Sequence, residues 1–498
     1  MGRPNVIFLV WDACRLDYAT REAETLRSLA AENLWFERAI ASSGWSLPSH
    51  MSMFSGEYPS DHGIYSINDT SSNLPLVQSL NQNRYDTYGL SANGFASPSY
   101  GFSNCFDEFY STHEQMIFLD GLDVHQYYKE VVDDNEGDFR VSLPHLLKSI
   151  VTHPHTIKST INVAAAAVSR LSTNHPLVNK LPLKRLNHPG QYCVDPNKNT
   201  ETIKSIINSS AQSERPFFIF ANYMSTHRPY NPPDQIQEEI FGEVLPFEDI
   251  KSVNNVTHPF KVAGTDSGGF PFSTEDLDTI TDLYRGEIRS LDTHLKRIVG
   301  ALRDSGQLDN TLIVVTADHG EMFFESDCMD ERWFGHESSA SDHLYRVPLL
   351  IANPGLDSLS VHQWVPTKNI YNVLSSNLGL LLNNSNQIIE DLLPRSKMVF
   401  GEYPADGRAP QLKDQYPGVP IELFSRDLVI GFKNEWKIAV TSNDRICARK
   451  GGDDRRVDSA PDELVEECLD RLGKFSTQKT STGISEDRTA HLEQLGYL

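Results

Sequence analysis

Cysteine is scarce in this 498-residue chain, which has six. They are scattered, at Cys14, Cys105, Cys193, Cys328, Cys447 and Cys468. Their density is far below that of a small disulfide-rich domain, and no pair has the spacing of a metal-binding cysteine motif. We therefore expect free thiols, and neither a disulfide framework nor a cysteine metal site.

Long apolar runs are also absent. No run approaches the ~20 residues that a helix needs to cross a bilayer, so the sequence predicts no transmembrane segment. The first apolar run, residues 6–10, leads into an acid at Asp12 and has no small-residue cleavage site of the kind that follows a signal peptide. We therefore expect the run to be a β-strand and the protein to be cytoplasmic.

Basic residues are outnumbered. The chain has 44 Lys and Arg against 67 Asp and Glu, a formal charge of −23. Nucleic acid is a polyanion that selects basic surfaces, so the composition argues against it as a partner. A surface this acidic favours a halophilic protein, because high salt shortens the screening length to a few ångströms. An ordinary acidic enzyme is the alternative.

What is present is a series of short apolar runs, each followed by a polar cluster. Such runs are typical of buried parallel strands, and they lie at residues 6–10, 88–91, 217–223, 312–316 and 347–351. Amphipathic helical patterns lie between them, at residues 21–33 and 274–301. The predicted fold class is α/β, with a mostly parallel central sheet sandwiched by helices and ligands bound at the carboxyl ends of the strands.

The pattern also predicts the domain organisation. Residues 1–395 form the catalytic α/β domain, interrupted at about 106–210 by a helical insertion with a helix at 144–150. The alanine-rich stretch 161–171 is interpreted as a buried helix, with membrane contact as the alternative. Residues 396–475 form a small antiparallel α+β subdomain, with strands at 427–432 and 436–440 and a helix at 461–472. Residues 476–498 form a tail.

Three acidic or imidazole side chains follow two of the predicted strands. Asp12 lies just beyond the first, where it can reach a metal; a helix N-cap or a salt bridge to Arg15 are the alternatives. Asp318 and His319 follow the strand at 312–316 and precede a glycine. Carboxylate oxygen with imidazole nitrogen allows calcium, magnesium, manganese or zinc. A structural turn is the alternative.

Ser46 lies where a helix is predicted to begin, because Pro48 can open a helix that runs to residue 54. The N-terminus of a helix favours an anion, and a serine there is suited to act as a nucleophile. A simple N-cap is the commoner role for such a serine. Three histidines also flank predicted strands, His227, His336 and His343, and each taken alone is more often structural than catalytic.

Together these segments resemble the sulfatase family of the alkaline phosphatase superfamily. The matching order and spacing run from residue 4 to about 351. The segments that carry the resemblance are Asp12, Ser46-x-Pro48-Ser49 with Gly56, Tyr58-Pro59 and His62-Gly63, Asn222-Tyr223 with His227 and Pro229-Tyr230, Tyr284 with Glu287 and Asp292, Asp318-His319-Gly320, and Arg346-Val347-Pro348.

The resemblance implies a role for each site residue. Asp12, Asp318 and His319 would bind one divalent metal that also contacts Ser46, with calcium as the first expectation and manganese, magnesium or zinc as alternatives. Ser46 would attack sulfur or phosphorus. His227 and His336 would bind the oxygens of the transferred group, and His336 lies near the position where many relatives have a lysine. His343 would protonate the leaving group. Arg15, His50 and Asn93 are expected in the substrate site.

Three positions depart from the family pattern. Ala13 replaces a second acid that many sulfatases have. His50 replaces the arginine of the motif in which sulfatases convert Cys or Ser to formylglycine, so we predict that Ser46 stays a serine. Residues 91–95 replace a Gly-Lys-Trp-His segment. An unmodified serine in this frame resembles phosphonate and phosphodiester hydrolases and phosphoglycerol transferases.

The sequence therefore predicts metal-dependent hydrolysis of sulfate esters through Ser46. The alternatives are a phosphate mono- or diester or phosphonate hydrolase, a phosphoglycerol-type transferase, and a catalytically inactive scaffold. The expected substrate is a small anionic ester or a sulfated glycan.

Overall fold

The computed structural model describes residues 3–112, 139–153, 155–157, 159–161, 163–164, 195–259, 272–336, 338–376, 384–396, 398–405, 424–451, 455–457 and 459–478. Most of the alanine-rich stretch 161–171 and the tail from 479 onward lie outside these ranges, so the predictions made for them stay predictions. None of the described helices is long and apolar enough to cross a membrane.

An eight-stranded sheet forms the centre of the molecule. Its strands are β1 (Asn5–Trp11), β2 (Leu34–Phe36), β4 (Asp86–Ser91), β5 (Glu108–Ser111), β6 (Phe217–Tyr223), β7 (Thr311–Thr316), β11 (Leu349–Ala352) and β12 (Leu359–Val361). Their order in the sheet is β12-β2-β11-β7-β1-β6-β4-β5. A three-stranded sheet joins β3 (Ala39–Ile40), β10 (Arg346–Val347) and β13 (Val365–Pro366), and a hairpin joins β8 (Met322–Ser326) to β9 (Arg332–Gly335).

The described residues also form α-helices. They are α1 (Leu16–Glu22), α2 (Glu24–Glu32), α3 (Ser46–Ser55), α4 (Pro59–His62), α5 (Pro75–Gln82), α6 (Phe139–Thr152), α7 (Pro196–Ser209), α8 (Asp234–Phe241), α9 (Phe247–Val256), α10 (Thr274–Asp304), α11 (Asp342–Tyr345), α12 (Ile370–Ser375), α13 (Ser385–Leu392) and α14 (Asp462–Gln478). The longest of these, α10, starts with a capping box in which Ser273 and Asp276 satisfy each other's backbone N–H groups.

The α/β fold class is confirmed, and the apolar runs explain why. Every residue of β1 and of β6 is buried, as expected for strands covered on both faces. These two strands pair in parallel, and β1 pairs in parallel with β7 on its other side. Because parallel neighbours end at the same edge of the sheet, the residues that follow β1, β6 and β7 meet there.

Two details differ from the sequence-based prediction. The strand predicted at residues 347–351 divides into β10 and β11, and β11 runs antiparallel to β7 instead of parallel. The helix predicted at 21–33 is two helices that meet at Ala23, an extended residue between them. In both cases the type of element is as predicted, and the difference lies in the strand direction or in a break within the helix.

A five-stranded antiparallel sheet follows the main sheet in sequence. It contains β14 (Val399–Tyr403), β15 (Leu428–Lys433), β16 (Trp436–Thr441), β17 (Ile446–Lys450) and β18 (Arg455–Val457), with α14 packed on β15 and β16. It meets the main body at a bridge between Ser43 and Glu402. The buried Glu402 also binds Ser60 and Arg471. The domain boundaries predicted at residues 395 and 475 stay a prediction.

Candidate active site

Asp12 is the first residue beyond β1 and is completely buried. Its backbone N–H donates to Tyr223 at the end of β6 (2.9 Å), and its backbone carbonyl accepts from the Thr226 hydroxyl (2.5 Å). Ala13 follows with a φ of +56°, in the left-handed region, and turns the chain away from the sheet. The interpretation of Asp12 as a partner of Arg15 does not hold, because Arg15 binds Asp17 and Glu325 instead.

Asp318 and His319 follow β7, the parallel neighbour of β1. The backbone N–H of Ala13 donates to Asp318 Oδ1 (3.1 Å) and fixes the two strand ends against each other. One ligand atom from each of Asp12, Asp318 and His319 lies within 4.8 Å of the others, and all three side chains are buried. Residues separated by about 300 positions are thus brought together as the sequence predicted.

Each carboxylate in this cluster has one engaged oxygen and one without a hydrogen-bond partner. Asp12 Oδ2 accepts from Asn93 (2.5 Å) and Asn222 (3.1 Å), and Asp318 Oδ1 accepts from the backbone N–H groups of Ala13 and His319. Asp12 Oδ1 and Asp318 Oδ2 are buried without a partner. A buried acceptor left unsatisfied costs ~1–3 kcal/mol, so this arrangement fits a cation bound between the two oxygens.

The imidazole of His319 is oriented for the same role. Its Nδ1–H donates to the Gly320 carbonyl (2.8 Å), which leaves Nε2 as the lone-pair nitrogen. Nε2 lies 3.5 Å from Asp318 Oδ2 and 4.0 Å from Asp12 Oδ1. Burial and the neighbouring His336 lower the pKa of His319 to about 3, so the ring is neutral and able to bind a metal.

Burial also shifts the pKa values of the two acids, Asp12 and Asp318. Burial raises the pKa of Asp318 to about 6. Burial, reinforced by the charge of Asp318, raises the pKa of Asp12 above its usual value. Two buried like charges favour protonation unless a cation compensates them, which again fits a metal site.

Ser46 is the first residue of α3, and Trp45 occupies the N-cap position, so Ser46 is not an N-cap. Its hydroxyl Oγ lies 3.3 Å from His319 Nε2. Ser49, one turn further along, donates to the backbone carbonyl of Asp318 (2.6 Å) and ties the helix to the metal-binding strand end. The positive end of the helix dipole therefore faces the cluster at the serine.

His50 lies beneath the serine and is fully buried. Its Nδ1–H donates to the Ser46 carbonyl (2.8 Å), and its Nε2 accepts from Asn222 (3.1 Å), which also donates to Asp12. Burial lowers the pKa of His50. The position that carries arginine in the formylglycine motif is here a neutral ring with both nitrogens engaged inside the protein. The predicted contacts of His50 and Asn93 with substrate stay predictions.

His227 and His336 lie together beside the metal-ligand cluster. The ring of His336 is 4.5 Å from that of His319 and 5.0 Å from that of His227, measured between centroids. His227 Nδ1–H donates to the backbone carbonyl of Arg228 (2.7 Å), which directs Nε2 to the other side of the ring. Burial lowers the pKa of His227. This placement agrees with the roles that the resemblance implies for both histidines, which stay predictions.

His343 and Arg15 form a separate polar cluster. Arg15 is buried, and its guanidinium binds Asp17 (2.8 Å), Glu325 (2.5 Å) and His343 Nδ1 (2.9 Å). Their assignment to the leaving group and the substrate stays a prediction. The guanidinium charge is already compensated by two carboxylates.

Three further residues at the site, Asn222, Glu321 and Tyr230, had no role predicted from the sequence. Asn222 orients both Asp12 and His50, and its signal was an amide inside the otherwise apolar run of β6. Glu321 contacts His336 and Tyr230. The acid follows the Asp318-His319-Gly320 motif directly, but its partners are set by the fold and not by spacing.

Known proteins are similar to this chain in sequence and in fold. The sulfatase family profile matches residues 4–376. Arylsulfatase K of Bos taurus is 26% identical over 268 residues, which cover 49% of this chain and 47% of that protein. Arylsulfatase K of Xenopus laevis is 27% identical over 176 residues, covering 32% and 31%. The chain therefore spans less than half of the length of these curated relatives.

Solved structures share the fold. A phosphonate monoester hydrolase of Agrobacterium radiobacter has a TM-score of 0.60 at 16% identity, covering 96% of both chains. BT4656, solved in complex with its substrate D-glucosamine-2-N,6-O-disulfate, has a TM-score of 0.56 at 13% identity, covering 96% of this chain and 100% of that one. With the family profile matched from the first strand through the site and beyond β11, the chain belongs to the sulfatase family.

Proposed function

We propose that this protein hydrolyses sulfate esters in a metal-dependent reaction, with Ser46 as the nucleophile. The observation that carries the proposal is the position of the Ser46 hydroxyl, 3.3 Å from His319 Nε2 and at the start of α3. The same cluster holds two buried carboxylate oxygens without partners. A nucleophile, a metal-ligand set and a helix N-terminus thus meet at one point.

In the proposed reaction the serine is first sulfated and then released by water. Ser46 Oγ attacks the sulfur of the ester and loses its proton, the bond from sulfur to the alcohol oxygen breaks, and that oxygen takes up a proton, so that the alcohol leaves as the serine becomes sulfated. His227 and His336 bind the oxygens of the transferred group. Water then cleaves the bond between sulfur and Ser46 Oγ and releases sulfate. Asp12, Asp318 and His319 would hold a divalent cation, which would supply positive charge next to the Ser46 oxygen.

Hydrolysis of phosphate or phosphonate esters is the second candidate. It is favoured by His50, which makes formylglycine formation at Ser46 unexpected and leaves a serine that forms a covalent intermediate. The phosphonate monoester hydrolase cited above shares this fold. Phosphorus is attacked by the same serine with the same leaving-group chemistry.

The ligand set also bears on which metal binds. One oxygen of each carboxylate is engaged by hydrogen bonds, so Asp12 and Asp318 each offer a single oxygen. Calcium takes six to eight oxygen ligands, often with bidentate carboxylates. Two oxygens, the imidazole nitrogen of His319 and the Ser46 hydroxyl suit a first-row metal of lower coordination number. We therefore favour manganese or zinc over calcium.

Chelator-treated protein should lose turnover of nitrophenyl sulfate and nitrophenyl phosphate, and manganese or zinc should restore it better than calcium. Calorimetric titration gives the affinities independently of turnover. His319→Asn replaces the nitrogen ligand with an amide and should lower manganese and zinc affinity by at least about tenfold, with a smaller effect on calcium.

His362→Asn is the matched control, because this histidine is exposed and its contact is with Glu37. It should leave every affinity unchanged. If calcium binds more tightly than manganese and zinc, the metal preference is wrong while the proposed function stands. If metal binds and neither ester is hydrolysed, the proposed function is wrong.

A further inference from the structure

Glu321 is a completely buried acid beside the site that takes no part in the steps proposed above. The β8–β9 hairpin determines what it faces. Met322 of β8 pairs with Gly335 of β9 in antiparallel register. The residue before Met322 and the residue after Gly335 are therefore opposite each other, and these are Glu321 and His336.

Both oxygens of the carboxylate are engaged. Glu321 Oε1 lies 3.3 Å from His336 Nδ1, and Oε2 accepts a hydrogen bond from the Tyr230 hydroxyl (3.1 Å). When Glu321 is ionised its carboxylate can only accept, so the hydrogen bond to His336 then comes from Nδ1–H. Nε2 lies on the other edge of the ring, and it binds an anion's oxygen by donating an N–H, that is, when the ring carries both protons.

Tyr230, which donates to the other oxygen of the Glu321 carboxylate, is itself held in place by its neighbours. Its backbone N–H donates to Asn254 Oδ1 (2.9 Å), and its carbonyl accepts from Asn254 Nδ2 (3.0 Å). Its ring packs against Tyr284 and Phe323, with centroids 5.3 and 6.2 Å away. The carboxylate of Glu321 is thereby held through one oxygen by Tyr230, while its other oxygen contacts His336.

His336 needs such support because of where it lies. It projects from the end of a short hairpin strand, and its side chain remains partly exposed at 17%. Its ring lies against those of His319 and His227. A partly exposed imidazole without an orienting partner samples several rotamers, and only some of these direct the Nε2 edge to the transferred group.

We propose that Glu321 is a positioning residue, whose carboxylate fixes the orientation in which the His336 ring binds the oxygens of the transferred group. The inference rests on the proposed function and goes beyond it by adding a residue that touches neither substrate nor metal. A carboxylate that orients a functional histidine is a recurrent arrangement, and its loss typically costs ~10–100-fold in affinity or activity.

A double-mutant cycle tests the proposal. Glu321→Gln keeps the shape of the side chain and removes its charge, and His336→Ala removes the ring. Each single variant should lower kcat/KM by about 10–100-fold. The double variant should be no slower than His336→Ala, because Glu321 acts only through that ring. Independent losses that multiply in the double variant would overturn the proposal and leave Glu321 as a packing residue.

Two controls keep the result interpretable. Metal content and the thermal unfolding midpoint of each variant show whether the site and fold are intact. Tyr230→Phe leaves the contact to His336 in place and should cost less turnover than Glu321→Gln. Equal or greater loss in Tyr230→Phe would indicate that the tyrosine, and not the carboxylate, positions the ring.

Nuclear magnetic resonance of the histidine ring nitrogens tests the same point without turnover. With ¹⁵N-histidine, His336 in the wild-type protein should be protonated at Nδ1, with a single ring environment. Glu321→Gln should give more than one ring environment. A wild-type His336 protonated only at Nε2 would contradict the proposal even if the protein hydrolyses no ester tested, so this failure is distinguishable from failure of the proposed function.

Discussion

Replacing Ser46 with alanine should abolish ester turnover and leave metal binding largely intact. The hydroxyl is the proposed nucleophile, and loss of a nucleophile in a covalent mechanism costs as much as ~10⁶-fold in kcat. The three remaining metal-ligand side chains lie on the ends of β1 and β7 and do not depend on the serine. Steady-state kinetics with nitrophenyl sulfate and nitrophenyl phosphate, together with calorimetric metal titration, measure both parts.

Ser52→Ala is the matched control for this experiment. Ser52 is buried on the same helix, but its hydroxyl contacts His62 and not the metal-ligand cluster. It should retain turnover within a few-fold of the wild type. Substantial turnover by Ser46→Ala, or equal loss in both variants, would contradict the assignment of the nucleophile.

Asp318→Asn should reduce metal-dependent turnover by weakening metal binding. Asparagine is isosteric, and its carbonyl oxygen can still accept the backbone N–H groups of Ala13 and His319 that Asp318 Oδ1 accepts. What is lost is the anionic oxygen that faces Asp12 and His319. We expect metal affinity to fall by at least about 100-fold, since a direct ligand is changed, and turnover to return in part at high metal concentration.

Thermal unfolding separates this effect from misfolding. In the absence of metal, Asp318→Asn should be at least as stable as the wild type, because one of two buried, mutually repelling charges is removed. Asp309→Asn, an exposed position beyond the opposite end of β7, is the matched control and should change neither property. Unchanged metal affinity in Asp318→Asn would show that the cation site is elsewhere.

The fold was predictable where burial leaves a continuous apolar signal. Residues 217–223 were predicted as a strand and form β6 with the same bounds, because every position is buried. The direction of β11 was not predictable, since a buried strand has the same apolar pattern in either orientation. The short strands β2 and β12 have three residues each, too few to show a period.

The metal-ligand cluster of the site was predictable from the sequence, and the contacts around it were not. Asp12, Asp318 and His319 were expected to meet because they follow strands of a parallel sheet, and the pairing of β1 with β7 brings them together. Glu321 was missed because its partner is determined by the register of the β8–β9 hairpin, which the sequence does not specify. Convergence at a sheet edge can be inferred from strand order, whereas individual side-chain contacts require the register.

The central claim is that an unmodified Ser46 carries the transferred group. Enzyme mixed with excess ester, quenched in acid and digested, gives the peptide that contains residue 46 for mass spectrometry. We predict a serine at this position, with a fraction of the peptide heavier by one sulfo or phospho group on Ser46 and no such fraction in Ser46→Ala. A formylglycine at position 46 in protein from the native host, or a transferred group found on another residue, would contradict the account.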